Sequence, residues 1–493
     1  MPIRREDSGF LRIYRLDGQI GSIFYRTFPS TETLASIDVS IASRLSPGAN
    51  ENVLDRLISK SKTLIEKATP SYDGSFNIDD TTSVNLFFEN YEKNLDVSSR
   101  KTLYNLNAVL GHRNIAEQSH MMISMAVPLL SALRIQDETF VASQERSTRY
   151  VDFKETYVPS ADEDIKSILI NGYDALSSVY NSLYEVIYNL YEEDFKRKNG
   201  RSPSEQEGKN IIRPSVLDQT RSFLQMGQMT SLVLQISART AENIGRKLLS
   251  SNNKYDQMVG VLFDTVVSDN VPSLSTHLEP DEYNKEIYKK ERIAIDLSKI
   301  NEKPRIKNLE EIITKIGGGS QTEEQMINSI YYQMPIKPGR NKKEAVSDYL
   351  KRISSKRQGK YDDLNDSLLR STFLQLNINC SLGTARDFWR HRLSKRNLDV
   401  NVNEYFVPNV VYENKDMYDT VRAAFLDVNQ NMRKLYDKGA NSEAELLIPL
   451  ATAVDLKMSM SLAEAVFIAE NRSTSEAHPE YKRIAYQILD ALR

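Results

Sequence analysis

Apolar residues recur at steps of three and four along "NENVLDRLISKSKTLIEKA", residues 50–68, and that period predicts an amphipathic helix. "RKTLYNLNAVLGH" predicts another, with Gly111 at a natural stop. Before them, residues 13–40 mix short apolar stretches with turn residues and suit a strand or two. Residues 117–136 are largely apolar, and Pro128 is placed to kink or break them. "DEDIKSILINGYDALSSVYNSLYEVIYNLYEEDFKRK" is a strongly periodic, tyrosine-rich helix. The stretch 223–249 reads as strands or as helix–strand–helix, and pattern alone does not separate the two. Residues 277–308 are polar and charge-dense, as expected of a connector, which puts a boundary near residue 285.

Beyond that connector the order of events repeats. "IKNLEEIITKI" opens as a strand and helix, and "GGGSQTEEQ" is a loop. "LLRSTFLQLNINCSLGTARDFWRHR" parallels residues 117–139, and "NEYFVPN" parallels "KETYVPS". A long helix, "KDMYDTVRAAFLDVNQNMRKLYDKG", follows. "LLIPLATAVDLKMSMSLAEAVFIAENR" then parallels residues 223–248. A diverged internal duplication accounts for the 493 residues better than two unrelated domains do.

Composition narrows the functional classes. A net charge of −3 and a pI near 6.1 argue against a partner that is a nucleic-acid polymer, which calls for a basic surplus. A small phosphate ester needs only two or three local arginines. The single cysteine, Cys380, excludes an intramolecular disulfide framework and a Cys-rich zinc site, and in its apolar stretch it reads as core. No stretch reaches the roughly 20 apolar residues of a membrane span, and the first residues lack a signal-peptide pattern. A cytoplasmic protein without membrane association or a metal centre is expected. Gly317–Gly319 lack the Gly-Lys-Ser/Thr of a phosphate loop, and no HExxH, nucleophile elbow or CxxC occurs.

Two short clusters could carry chemistry. Glu145, Ser147 and Arg149 alternate in "QERSTRY", so an extended backbone would put a carboxylate, a hydroxyl and a guanidinium on one face. An ordinary surface strand with a Glu–Arg pair has the same pattern. Arg390, His391 and Arg392 sit side by side behind "ARDFW", which reads as the end of an apolar helix or strand. They suit an anionic ligand, and equally a solvated basic cap at a helix C-terminus. Arg221, Arg239, Arg472 and His112 are unremarkable one by one.

Together these pieces resemble the flavin-dependent thymidylate synthases (ThyX), whose signature is R-H-R-x7-S-x-R-Y. Ser147-Thr148-Arg149-Tyr150 matches its end and Glu145 its inner acid, while Asp137-Glu138-Thr139 stand where R-H-R belongs. In the second copy Ala385-Arg386 and Arg390-His391-Arg392 match the beginning, and the end is lost. Downstream, the first copy keeps the family's early arginine as Arg221, with Arg239 and Asn243, but has Ser237 for Asn and Leu248 for the late arginine. The second copy keeps Pro449 and the late arginine, Arg472, with Glu445 for the early one and Ala463 for the flavin-contacting one. Gln144 and Asp387 also depart from the pattern, Asp387 standing where the lead-in has Gln.

The losses are complementary, which implies a fused pseudo-heterodimer with one composite site per pair of halves. The implied fold is α+β, with two tandem ThyX-like domains, 1–285 and 286–493, each of helices packed on a mainly antiparallel sheet. The implied reaction methylates dUMP to dTMP, with methylenetetrahydrofolate as carbon donor and NADPH-reduced FAD as hydride source. By the same resemblance Arg472 and Ser147 are catalytic, and Glu145, Ser147, Arg149, Arg221, Arg390 and Arg472 hold dUMP. His112, Glu117, Arg239, Asn243, Arg390, His391 and Arg392 hold FAD. A homodimer with pseudo-tetrameric geometry is expected. The rival readings are a catalytically inactive nucleotide- or flavin-binding relative with a regulatory or assembly role, and a flavoenzyme acting on another pyrimidine nucleotide.

Overall fold

The computed structural model describes residues 2–9, 11–26, 31–32, 62–63, 65–66, 77, 79–93, 97–109, 113–153, 155–159, 162–275, 279–280, 282–283, 285–286, 293–301, 303–334, 341–357, 369–474 and 477–492. Chain contacts divide it into two compact units. The first comprises Met1–Val127, Phe140–Arg146 and Thr230–Ile287, and the second Pro128–Thr139, Ser147–Met229 and Tyr288–Arg493.

The first unit holds a six-stranded sheet: β1 (Arg4–Ser8), β2 (Leu11–Arg15), β3 (Gly21–Tyr25), β4 (His120–Pro128), β5 (Ala142–Glu145) and β6 (Met229–Ser237), in the order β1-β2-β3-β4-β6-β5. Strands β2 and β3 confirm the reading of the N-terminal region. In β6, Leu232, Leu234 and Ile236 are buried while Ser231, Val233 and Gln235 are exposed, the two-residue period of a half-buried strand. The helix Ala238–Leu249 then starts at Ser237, whose side chain accepts from the Thr240 backbone N–H, and it packs against Lys254–Asn270. Gly260 permits that approach, since a β-carbon there would stand 2.8 Å from the Leu249 nitrogen. The ambiguous 223–249 stretch is therefore a strand and a helix, preceded by a short 3-10 turn, Arg221–Phe223.

The second unit is built on another six-stranded sheet: β7 (Ile293–Ile295), β8 (Arg305–Lys307), β9 (Ile313–Ile316), β10 (Leu374–Ser381), β11 (Lys395–Phe406) and β12 (Thr452–Met460). Its order is β7-β11-β12-β10-β9, with β8 also on β11. Antiparallel pairing joins β9, β10, β12 and β11, while β7 and β8 lie parallel to β11. The supposed connector is thus partly sheet. Its charges obscured Ile293, Ile295 and Ile306, too few apolar residues to set up a period. "IKNLEEIITKI" likewise forms β8, a 3-10 turn and β9 rather than opening a helix.

Both long helices form as the periodicity predicts, over Glu163–Asn199 and Lys415–Asp437, and they pack on each other. Asp162 and Asn414 cap their N-termini, and Gly200, at φ 69°, ends the first in the left-handed conformation glycine tolerates best. Tyr405 stacks on Phe425 at a centroid distance of 4.2 Å beneath the second. Pro128 breaks its apolar run as expected: β4 ends there and the helix Leu129–Gln136 begins. The matching stretch of the second copy does the same, β10 leading into Leu382–Phe388. The chain is α+β. Most of the helix expected at 50–68, with Gly111, lies outside the described residues.

The residues 222–228 and 446–451 meet backbone to backbone. Met226 and Gly227 donate to Ile448 and Leu446 at 2.9 and 2.7 Å, and Leu450 and Ala451 donate to Leu224 and Ser222 at 2.7 and 2.9 Å. Beside them Leu130 donates to the Met226 carbonyl at 3.0 Å, and Gly383 donates to that of Leu450 at 2.9 Å. These stretches occupy matching places in the two halves of the sequence, so they pair about a local pseudo-two-fold.

Candidate functional site

The candidate residues of the second copy follow the helix Leu382–Phe388. Ser381 starts that helix by accepting from the Thr384 N–H at 3.2 Å. The Ser381 and Thr384 hydroxyls donate in turn to buried Glu480, at 2.6 and 2.8 Å. Burial pushes the Glu480 carboxyl up, against hydrogen bonds that lower it. Past the helix the chain coils tightly: Trp389, Arg390 and His391 donate back three residues, to Arg386, Asp387 and Phe388. Buried Arg396 collects the carbonyls released there, donating to Phe388, Trp389 and His391 at 3.2, 2.9 and 3.2 Å, with its guanidinium 5.0 Å from the Trp389 ring centre. The reading of these arginines as following a helix end is correct.

The three side chains of this turn differ in burial. Arg390 is exposed and Arg392 half-buried, whereas His391 is buried with Nδ1 3.4 Å from Glu464 and Nε2 lacking a hydrogen-bond partner. Burial lowers the imidazole's pKa, with Glu464 opposing. Phe388 stacks on Tyr481 at 4.6 Å, and the Arg472 guanidinium lies 4.9 Å from the Tyr481 ring centre. Arg472, the last residue of its helix, has a buried Nε without a partner, as does the Tyr481 hydroxyl.

First-copy residues stand in the same unit. Arg221 is 3% exposed, and its Nη1 donates to Asp387 Oδ2 at 2.8 Å while Nη2 is buried without a partner. Burial alone would raise the Asp387 carboxyl, but Arg221, Arg390 and Arg386 hold it well below the usual carboxylate range. The carboxylate that looks misplaced in the sequence is therefore an ionised counter-ion. Arg149 grips Asp218 through Nε at 2.9 and 3.0 Å and Nη2 at 2.8 Å. His478 Nε2 lies 3.1 Å from the Asp218 carbonyl, and its Nδ1 is buried without a partner. Burial and then Arg221 drive the His478 pKa well down, so the ring is neutral. Neutral Nε2 then carries the proton, and Nδ1 is left as an acceptor.

The single face expected for Glu145, Ser147 and Arg149 does not form. Strand β5 ends at Glu145, and the backbone turns over 148–150, where Arg149 N donates to Ser147 Oγ at 3.2 Å. Glu145 belongs to the first unit, Ser147 and Arg149 to the second. In the first unit Arg239 pairs with Glu117 at 2.6 Å, and Asn243 accepts from Arg246 at 3.3 Å. His112 lies outside the described residues. Asp218, Arg396, His478, Glu480 and Tyr481 have no motif in the sequence. Only the acidic partner that any buried arginine requires could have pointed to Asp218.

Among the described residues no group of His, Cys, Asp and Glu could hold a metal ion, and no helix is long and apolar enough to cross a membrane. Cys380 is buried, which raises its pKa well above the usual thiol value and leaves it inert, as a core residue.

No curated protein matches the chain. Among solved structures, a UMP/dUMP methylase, PolB from Streptomyces cacaoi, crystallised with 5-Br UMP, is 16% identical, with 38% of this chain and 91% of that one covered at a TM-score of 0.29. Thymidylate Synthase X from Helicobacter pylori, with FAD and dUMP, is 15% identical, with 37% and 93% covered at 0.27. The family is assigned by sequence. The Thy1 family model, thymidylate synthase complementing protein, matches residues 53–258 and again residues 311–493. Matched twice over most of its length, the chain belongs to the family of thymidylate synthase complementing proteins, as a tandem duplication.

Proposed function

We propose that the chain is a flavin-dependent thymidylate synthase, methylating dUMP to dTMP at one composite site for the two sequence copies, 1–285 and 286–493. The contact between Arg221 and Asp387 carries this reading, because it joins the half-motif surviving in one copy to the half-motif surviving in the other. Around it stand Arg390 and Arg386, and through Asp218 also Arg149, which suit a nucleotide phosphate, and Arg472 on the Tyr481 face, which suits a pyrimidine ring.

In this reading Ser147, Arg149, Arg221 and Arg390 hold the phosphate and sugar of dUMP. Arg472 steadies negative charge developing on the ring, an electrostatic contribution aimed at the transition state. Within the second unit His391 Nε2, a buried polar atom without a protein partner, and the neighbouring Arg392 suit FAD. By the family resemblance Arg390, and from the first copy His112, Glu117, Arg239 and Asn243, are assigned to the same cofactor. When bound, FAD would supply hydride chemistry, with NADPH as reductant and methylenetetrahydrofolate as carbon donor. A cytoplasmic homodimer of chains with pseudo-tetrameric geometry belongs to the same proposal.

One observation favours a second reading, a nucleotide-binding relative without catalysis. Asp218 and Asp387 already occupy Arg149 and Arg221, so an incoming phosphate must displace carboxylates. Purified protein incubated with dUMP, methylenetetrahydrofolate, FAD and NADPH decides between them. Formation of dTMP that stops when FAD or NADPH is omitted supports the synthase. Bound dUMP with no product supports the second reading, and product from another pyrimidine nucleotide alone redirects the substrate.

A further inference from the structure

The Arg221–Asp387 contact has a counterpart across the pseudo-two-fold. Glu445 takes the place of Arg221 in the second copy, and Arg134 takes the place of Asp387 in the first, as the matched helices Leu129–Gln136 and Leu382–Phe388 require. Arg134 Nη2 donates to Glu445 Oε2 at 3.2 Å, and the side chains are 12% and 17% exposed. The two positions are therefore bridged on both sides of the dyad with opposite polarity. On one side the first copy supplies the arginine of the 221/445 position. On the other the second copy supplies the acid there.

We propose that these two charge-reversed bridges sort the halves of the chain, so that a first copy pairs with a second copy and not with its own kind. Pairing two first copies about the same dyad would set Arg221 against Arg134 on both sides. Pairing two second copies would set Glu445 against Asp387. Each like pairing buries two repulsive contacts where the observed pairing buries two attractive ones. The backbone seam beside them gives no such discrimination, since its hydrogen bonds are made by equivalent main-chain groups of both copies. Discrimination thus comes from the penalty on the wrong pair as much as from the gain of the right one.

The test uses the full chain. Exchanging one bridge, Arg134→Glu with Glu445→Arg, keeps both contacts of the native pairing but makes the like pairings complementary. Exchanging the other, Arg221→Asp with Asp387→Arg, does the same by an independent route, so either suffices if one variant does not fold. All four substitutions together restore the native rule with reversed signs. Each protein is unfolded in denaturant, refolded over a range of concentrations and sized by light scattering. The single exchanges are expected to raise the fraction of chains in assemblies larger than the native one at least roughly threefold, increasingly with concentration. The fourfold variant is expected to return to the native distribution. An unchanged distribution in a folded single exchange, or an excess that persists in the fourfold variant, overturns the proposal.

Discussion

Gln225 and Pro449 face each other as an isolated antiparallel bridge, although each occupies the same place in its own half of the sequence. A residue meets its own counterpart only at a two-fold axis, so this bridge marks the axis about which the halves are joined. The two residues have diverged in what they do there. Gln225 Nε2 donates to the carbonyls of Gly172 and Leu447, at 3.1 and 3.0 Å, a task proline cannot perform.

Replacing Gln225 by alanine removes both side-chain bonds from these buried carbonyls. The expected loss of stability is about 2 kcal/mol, read from the urea midpoint. Pro449→Ala removes no hydrogen bond and should cost less. Equal losses for the two variants would refute the role given to the amide.

Arg396 holds the turn that carries Arg390, His391 and Arg392 by gathering three of its carbonyls. Arg396→Ala should weaken dUMP binding by at least roughly tenfold without touching the nucleotide, because misplaced groups lose their joint geometry. Calorimetric titration measures this. Unaltered affinity in a folded variant would show that the turn holds its shape unaided.

Asp387 presents a fixed negative charge where a phosphate is proposed to bind. Asp387→Asn should destabilise the free protein by about 3 kcal/mol, by leaving Arg221 buried with a weaker partner. The same change should tighten dUMP binding roughly tenfold while leaving deoxyuridine unaffected, since only the phosphate feels the missing charge. Equal changes for both ligands would sink this account.

Burial keeps His478 and His391 neutral in the folded chain, both with pKa values below the ordinary 6.5. The unfolded chain therefore binds protons that the folded chain refuses. The associated stability is present above about pH 6.5 and is lost as pH falls below it. Glu480, pushed upward by burial, pulls the other way as the folded chain takes up a proton first. The melting temperature of His478→Asn should accordingly fall less between pH 7 and 5.5 than that of the native chain. Identical slopes would mean that His478 is protonated without cost.

The repeat, the long helices and the break at Pro128 were legible because periodicity and local breakers encode them, whereas the strand-then-helix order of 223–249 was not. Pro128 marks its junction in the sequence itself. The short strands β7 and β8 were not legible, since three residues carry no period and their register comes from β11. Arg149, Arg221, Arg390 and Arg472 could be nominated by resemblance. Their partners could not, because Asp218, His478 and Tyr481 gain meaning only from residues far along the chain. The alternation of Glu145, Ser147 and Arg149 misled for a local reason: a serine hydroxyl accepting from the next-but-one N–H turns the backbone out of the strand.

Arg221 and Asp387 lie on one polypeptide, and this changes how their meeting responds to dilution. Two separate chains bearing these groups would part as their concentration fell. Here the encounter is a loop closure, for which each doubling of the intervening length adds only about 0.6 kcal/mol. The contact therefore forms with first-order kinetics and persists in a solution of isolated molecules. Fusion has replaced a dissociation constant with a tether.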